Sequence, residues 1–309
     1  MTVQPSKSLQ QCKSLQPLKP LKGIRILSLA LNLPGPAALM RCQQMGARCV
    51  KLEPPAPKGA ASSSGDPMHQ YNLAAYAALH QDVRIASADL KTDVGQKMLH
   101  KELAKTDVLL TSFRPSALIK LGLSWALLHQ QYPQLSQVAI VGGPGELSEA
   151  PGHDLTYLAA MGLVTGLELP ATLYADMGGS LMASEAVLQT VLHSRQTGKG
   201  VFVEVALASA ANYMALPRGW GLTTPGAAVG GGHAGYRIYR CKNGRVAVAA
   251  LEPHFAQRLC VAAGFTVTSP QAMFAADTHY RIASWLLGNT RAQLDHLAAD
   301  QDIPMHTMV

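Results

Sequence analysis

A chain of 309 residues with 48% apolar and 15% charged residues can bury a real core, which excludes both a disulfide-stapled mini-protein and an intrinsically disordered chain. Five scattered cysteines, Cys12, Cys42, Cys49, Cys241 and Cys260, form no Cys-x-x-Cys pair, so neither a disulfide framework nor a zinc module is indicated and a reducing, cytoplasmic setting is expected. The net charge of +7 belongs to the start, where residues 1–52 hold eight Lys or Arg and no Asp or Glu; with 6% aromatics and no DNA- or RNA-binding signature, that excess fits a phosphate-bearing small ligand or a solvated tail, and not nucleic acid.

No apolar run approaches the ~18 residues that span a bilayer, and the N-terminus is polar where a signal peptide is apolar, so no membrane partner is expected. Residues 1–20 are Ser-, Gln-, Lys- and Pro-rich and read as a flexible basic arm. A strand is predicted over 24–29, then a break at Pro34-Gly35-Pro36, a helix over 37–45 closed by Gly46, and a strand over 49–52 ended by Glu53-Pro54-Pro55. A Pro/Gly/Ser-rich loop runs to Gly65. A helix over 95–105 and strands over 107–110 and 137–141 follow. Strands alternating with helices imply a parallel sheet with right-handed crossovers, an α/β class with a large domain over 21–216.

Residues 155–192 read as two helical stretches interrupted around 170–176, followed by a strand over 201–205 and a helix over 206–216. The Pro- and Gly-rich passage from Pro217 to Gly235 marks a domain boundary, and 217–309 read as a smaller α+β domain. It opens with a hairpin, strands 236–239 and 245–250 around Lys242-Asn243-Gly244, and continues in helices.

Three acids and one imidazole stand out. In Pro151-Gly152-His153-Asp154-Leu155 the His and Asp precede a helix, whose first-turn amides suit an anion or a developing oxyanion; the plain alternative is Asp154 as an N-cap and His153 as a surface residue. Asp176, followed by Gly178-Gly179-Ser180, is a carboxylate among small neighbours, suited to a general base tuned by burial, or else the N-cap of a helix over 178–192. Glu252 closes an apolar strand, where catalytic groups and ordinary turn acids both occur. Gly230-Gly231-Gly232-His233 is a flexible stretch, either a cover for a site or a linker. Thr197-Gly198-Lys199-Gly200 lacks the offsets of a phosphate loop, and the absence of a nucleophile elbow and of a His-Glu-x-x-His helix speaks against hydrolase and zinc chemistry. No metal is implied.

In order along the chain, Leu21-Lys22-Gly23-Ile24-Arg25-Ile26-Leu27, Pro34-Gly35-Pro36, Met45-Gly46-Ala47, Val50-Lys51-Leu52-Glu53-Pro54-Pro55, Ala88-Asp89-Leu90-Lys91, Phe113-Arg114-Pro115, Leu121-Gly122-Leu123, Pro151-Gly152-His153-Asp154, Asp176 with its glycines, Thr197-Gly198-Lys199-Gly200 and Glu252-Pro253 resemble the family III CoA-transferases (CaiB/BaiF), and within them the α-methylacyl-CoA racemases. The resemblance runs from about residue 21 to the chain end. It implies a Rossmann-like large domain, a smaller domain, an interlocked homodimer, and coenzyme A as part of an acyl-CoA thioester substrate with no covalently bound cofactor. In the transferase branch the acid matching Asp176 attacks an acyl-CoA. In the racemase branch that acid works with a histidine, matched by His153, while Glu252 matches the acid that orients the histidine. The main-chain amide of Asp154 is then the donor to the thioester oxygen.

Arg84, Ala88, Asp89, Arg114 and Lys120 match the region that grips CoA, and Gly230, Gly231 and Gly232, by their flexibility, are the candidate lid. The family's Asn-Arg-x-Lys/Arg-Arg stretch reads His80-Gln81-Asp82-Val83-Arg84 here, leaving only Arg84. The loops over 142–151 and 162–176 are shorter than usual, and the chain ends at Val309 inside what resembles the small domain, so a shortened, degenerate, binding-only homologue is the third expectation.

Overall fold

The computed structural model describes residues 18–59 and 63–309; residues 1–17 of the expected arm lie outside the described residues. By its contacts the chain divides into two compact units, Met1–Met214 and Ala215–Val309.

In the first unit the order is β1 (Arg25–Ser28), α1 (Pro34–Gln44), β2 (Arg48–Glu53), α2 (Pro67–Tyr71), α3 (Leu73–Leu79), β3 (Arg84–Ser87), α4 (Asp93–Leu103), β4 (Val108–Thr111), α5 (Pro115–Lys120), α6 (Trp125–Gln131), β5 (Ser136–Val141), α7 (Asp154–Ala160), α8 (Tyr174–Thr197) and β6 (Phe202–Ala206), then α9 (Leu207–Gly219), which crosses the division between the units. All six strands are parallel, in the order β3-β2-β1-β4-β5-β6. Parallel strands are covered on both faces and read as continuous apolar runs, and β4 and β5 are buried throughout. Alternate residues feed two cores. Ile26, Val108 and Leu110 pack with Leu39 of α1 and Ala183, Val187 and Val191 of α8; Leu27 and Leu109 pack with Leu99, Leu118 and Leu128 of α4, α5 and α6.

Several boundaries differ from the sequence reading. Helix α1 starts at Pro34, because proline's fixed φ and missing N–H suit a first helical turn. Strand β3 was not read: it is a four-residue edge strand, mostly exposed, with no apolar run to mark it. Helix α8 starts at Tyr174, so Asp176 sits inside its first turn and does not cap it. Its far end is closed by Gly198 in the left-handed conformation, φ +71°.

The second unit carries the expected hairpin, β7 (Tyr236–Cys241) against β8 (Gly244–Ala249), then α10 (Pro253–Ala262), α11 (Ala276–Gly288), α12 (Arg291–Asp300) and β9 (Met305–Met308). The last strand, with only Met305 and Met308 as apolar residues, was not read; it adds antiparallel to β8. Val246, Val248, Leu259, Ile282, Leu286 and Leu294 form this unit's own core. No helix among the described residues is long and apolar enough to cross a membrane.

Candidate active site

The strand order reverses between β1 and β4, and in such sheets ligands bind beyond the carboxyl ends of the strands at that switch point. A cavity of about 710 Å³ opens there. Its walls come from the loop after β1 (Leu31, Asn32), from Ser112 and Arg114 after β4, from Gly142 after β5, and from the start of α7 and α8. His153, Asp154 and Asp176 all line it.

Asp154 and Asp176, 22 positions apart, are joined by one hydrogen bond. The Asp176 N–H, in the first turn of α8, donates to the Asp154 carboxylate at 3.0 Å. Asp154 is therefore not the N-cap that sequence suggested. His153 holds the cap position, Asp154 is the first helical residue, and its buried side chain is spent on joining α7 to α8. Leu158, Ala175 and Ala211 pack beneath this junction. The Thr156 hydroxyl accepts from the His153 N–H (3.0 Å) and donates to the His153 carbonyl (2.7 Å), which fixes the backbone under the exposed imidazole. The N–H of Asp154 lies in the first turn, where a helix offers no internal acceptor.

Burial raises the Asp176 carboxyl, the Asp154 charge raises it further and His153 partly offsets both, leaving it at about 6. Two phenols line the same cavity, Tyr71 and Tyr157. Both are raised, chiefly by burial; the Asp176 charge contributes to each, after that of Asp66 at Tyr71. Sequence reading missed them. Two glycines make room for Tyr157: a Cβ on Gly152 would stand 2.6 Å from its hydroxyl, and one on Gly142 2.5 Å.

The residues matched to CoA binding are not all in one place. Arg114 lines the cavity. Arg114 and Lys120, at the two ends of α5, both act on Glu149, whose carboxyl is held below its usual range mainly by the Ser116 N–H and hydroxyl, at 2.6 and 2.9 Å. Arg84 instead pairs with Glu102 at 2.9 Å. Ala88 is buried and its N–H bonds the Glu53 carbonyl; the Asp89 carboxylate caps the turn at Lys91. His80, at a position where the family's cations were looked for, is buried in a different network.

That network was not legible in sequence. Lys51, in β2, is fully buried. Its ammonium contacts Glu53 (2.9 Å), Asp66 and His80 Nε2 (2.8 Å). Because the ammonium donates to Nε2, the His80 proton is on Nδ1 and donates to the Tyr76 carbonyl (2.6 Å); burial first, and Lys51 second, push His80 below its ordinary value and keep it neutral. Tyr76 (2.8 Å) and Ser64 donate to Glu53. Glu53, Asp66 and His80 are the one described set with ligand atoms close enough for a metal, yet the ammonium among them already supplies the cation.

In the second unit Glu252 is exposed at the N-cap of α10 and makes no side-chain capping bond. Gly230, Gly231 and Gly232 border a cavity of about 1220 Å³ within that unit. They form a packed turn, since a Cβ on Gly230 would meet the Thr224 carbonyl at 1.9 Å and one on Gly232 the Gly226 carbonyl at 2.1 Å. His279 Nε2 donates to the Gly232 carbonyl at 2.9 Å.

The model of CoA-transferase family III matches residues 21–308. A cinnamoyl-CoA:phenyllactate CoA-transferase of Clostridium sporogenes is 30% identical over 204 residues, 62% of this chain and 50% of that protein. The α-methylacyl-CoA racemase of Homo sapiens is 27% identical over 263 residues, 77% of this chain and 63% of that one. The chain thus spans 50% to 63% of the length of these two relatives. A CaiB/BaiF family protein of Brucella suis shares the fold, with a TM-score of 0.76 at 20% identity over 94% of this chain and 84% of that one.

Proposed function

The chain belongs to CoA-transferase family III, and within that family we propose that it is an acyl-CoA isomerase of the α-methylacyl-CoA racemase type, transferring a proton at the carbon α to the thioester. The observation that carries this is the pairing of His153 with Asp176 on one cavity, the Asp176 carboxyl standing at about 6. A proton α to a thioester is weakly acidic, so its removal needs a placed base and fixed donors for the enolate oxygen. The His153 imidazole takes the proton from one face. The Asp154 N–H donates to the enolate oxygen, and protonated Asp176 returns a proton to the other face. In the reverse direction the two exchange roles, and a carboxyl near 6 has both protonation states within reach around neutrality.

Arg114, which lines the cavity, and Lys120 are proposed to meet CoA phosphates, with Ala88 and Asp89 beside the nucleotide. Arg84 contributes less, being committed to Glu102. The orienting role of Glu252 rests on the family resemblance and the covering role of Gly230, Gly231 and Gly232 on their glycine-rich sequence; Glu252→Gln should reshape the pH profile if the first holds. A homodimer is proposed as well, supported by the apolar residues that α8 leaves exposed, Met177, Leu181 and Leu192, and sedimentation reads it directly. The four described cysteines are free and buried, which supports a cytoplasmic setting.

Incubation with a 2-methylacyl-CoA in deuterated water tests the chemistry. Exchange of the α-hydrogen, lost by about 10²–10⁴-fold in His153→Ala, supports the isomerase. The rival is a family III CoA-transferase, favoured by the 30% identical relative, in which the Asp176 carboxylate attacks the acyl carbon, the C–S bond breaks and CoA leaves as the thiolate, and an acyl anhydride with Asp176 remains. CoA passing to a free carboxylate, with His153→Ala still active, would establish it. Neither reaction, with CoA still raising Tm, would establish binding without turnover.

A further inference from the structure

Asp66 has no exposed surface, yet every side of its carboxylate is occupied. One oxygen accepts the N–H of Asn32 at 3.1 Å and of Met68 at 2.9 Å. The other bonds the Lys51 ammonium. The neighbouring Gly65 lets this turn close on the exit of β2, since a Cβ there would stand 2.3 Å from the Pro54 carbonyl.

Asn32 is one of three described non-glycine residues with left-handed backbone, φ +63°, a conformation that costs L side chains energy, asparagine less than most, and that neighbouring contacts can fix in place. Two contacts hold it: the Asp66 carboxylate on its N–H, and the Tyr71 hydroxyl, which donates to its Oδ1 at 3.3 Å. Asn32, Met68 and Tyr71 all line the cavity of His153 and Asp176. A buried ion pair adds little stability over an apolar pair of similar volume, so Lys51 and Asp66 call for a reason beyond holding the scaffold together.

We infer that Asp66, charge-balanced by Lys51, is a positioning residue: it locks the backbone of Asn32 and with it the cavity wall against which the acyl-CoA thioester is seated beside His153 and Asp176. The role rests on the proposed acyl-CoA chemistry, but the lock is a property of the protein and is measurable without it.

Asn32 is exposed, so its substitutions are tolerated by the core, and they isolate the backbone. Glycine accepts φ +63° and alanine does not, so Asn32→Gly should keep about tenfold more kcat than Asn32→Ala in α-hydrogen exchange, with KM differing by less than about threefold. Equal kcat in the two variants overturns the inference. Asp66→Asn should lower kcat by about tenfold or more, also with KM spared. In combination with Asn32→Gly its loss should depart from the product of the single effects; a simple product means that Asp66 acts elsewhere and overturns the inference.

If the wild-type chain transfers CoA in place of exchanging hydrogen, the same ratios are read on transfer. If it does neither, the functional reading alone falls, and the lock is read from the backbone amide proton of Asn32 in the isotope-labelled full chain. That resonance should move upfield in Asp66→Asn as its bond to a carboxylate is lost; an unmoved resonance overturns the inference.

Discussion

Glu53 and Asp66 lie among a lysine, a tyrosine, a serine and two backbone N–H groups, whereas the Asp154 carboxylate accepts one N–H, that of Asp176, and both acids face a cavity. The two pairs sit in one unit and are both withdrawn from water, but only the first is solvated by the protein itself. An acid surrounded by donors is held in one place and becomes a strut. An acid left with few donors and a neighbouring like charge is pushed toward neutrality and keeps a proton to exchange.

Removing the balancing cation should break the first region most. Lys51→Met leaves two buried carboxylates without their ammonium and is expected to cost about 3–5 kcal/mol, a large part of a typical folding free energy; a chemical denaturation midpoint checks it. In the second region the sign reverses. The folded Asp176 carboxyl at about 6 stands above its ordinary 3.8, so between these pH values the folded protein binds more protons than the unfolded chain and stability falls as pH rises. Asp176→Asn should therefore stabilise the protein at pH 7.5, on the order of 1–2 kcal/mol after allowance for its partial exposure, and far less at pH 4. A higher Tm at both pH values alike would remove the electrostatic account.

A smaller effect separates the two acids of the cavity. Asp154→Asn keeps an oxygen for the Asp176 N–H but removes the like charge that raises Asp176. The acid limb of the pH–rate profile should then move to lower pH by less than about one unit. The mildest change is steric. In Gly178→Ala the new Cβ would stand 2.4 Å from the flexible Met214 Cε, whereas in Gly152→Ala it would press on the Tyr157 ring at 2.6 to 2.8 Å. Gly178→Ala should cost less than about 1 kcal/mol and Gly152→Ala about 1–3 kcal/mol with weakened activity, as thermal unfolding would read.

Much of this was legible before any coordinates. The apolar runs over 107–110 and 137–141 announced central parallel strands, and the Lys-Asn-Gly turn announced the hairpin of the second unit. The edge strand Arg84–Ser87 and the last strand Met305–Met308 were not announced, because an exposed or weakly apolar strand exists only through the neighbour it pairs with. His153 and Asp176 were singled out by residue type and by small neighbours. Lys51 was passed over within an apolar strand, since nothing in Val50-Lys51-Leu52 tells an outward lysine from one that meets Asp66 and His80.

The order of apolar and polar residues, with its glycines and prolines, by itself determined that the first unit alternates strand and helix, that a hairpin follows, and which acids and imidazole deserved chemical scrutiny. Tertiary structure alone decided that Asp154 binds the N–H of Asp176, that Arg84 is committed to Glu102, and that Lys51, Glu53, Asp66 and His80 close on one another. The reason is physical. Periodicity is a property of neighbours in the chain, whereas the state of a charge is set by whatever the fold brings within a few ångströms of it.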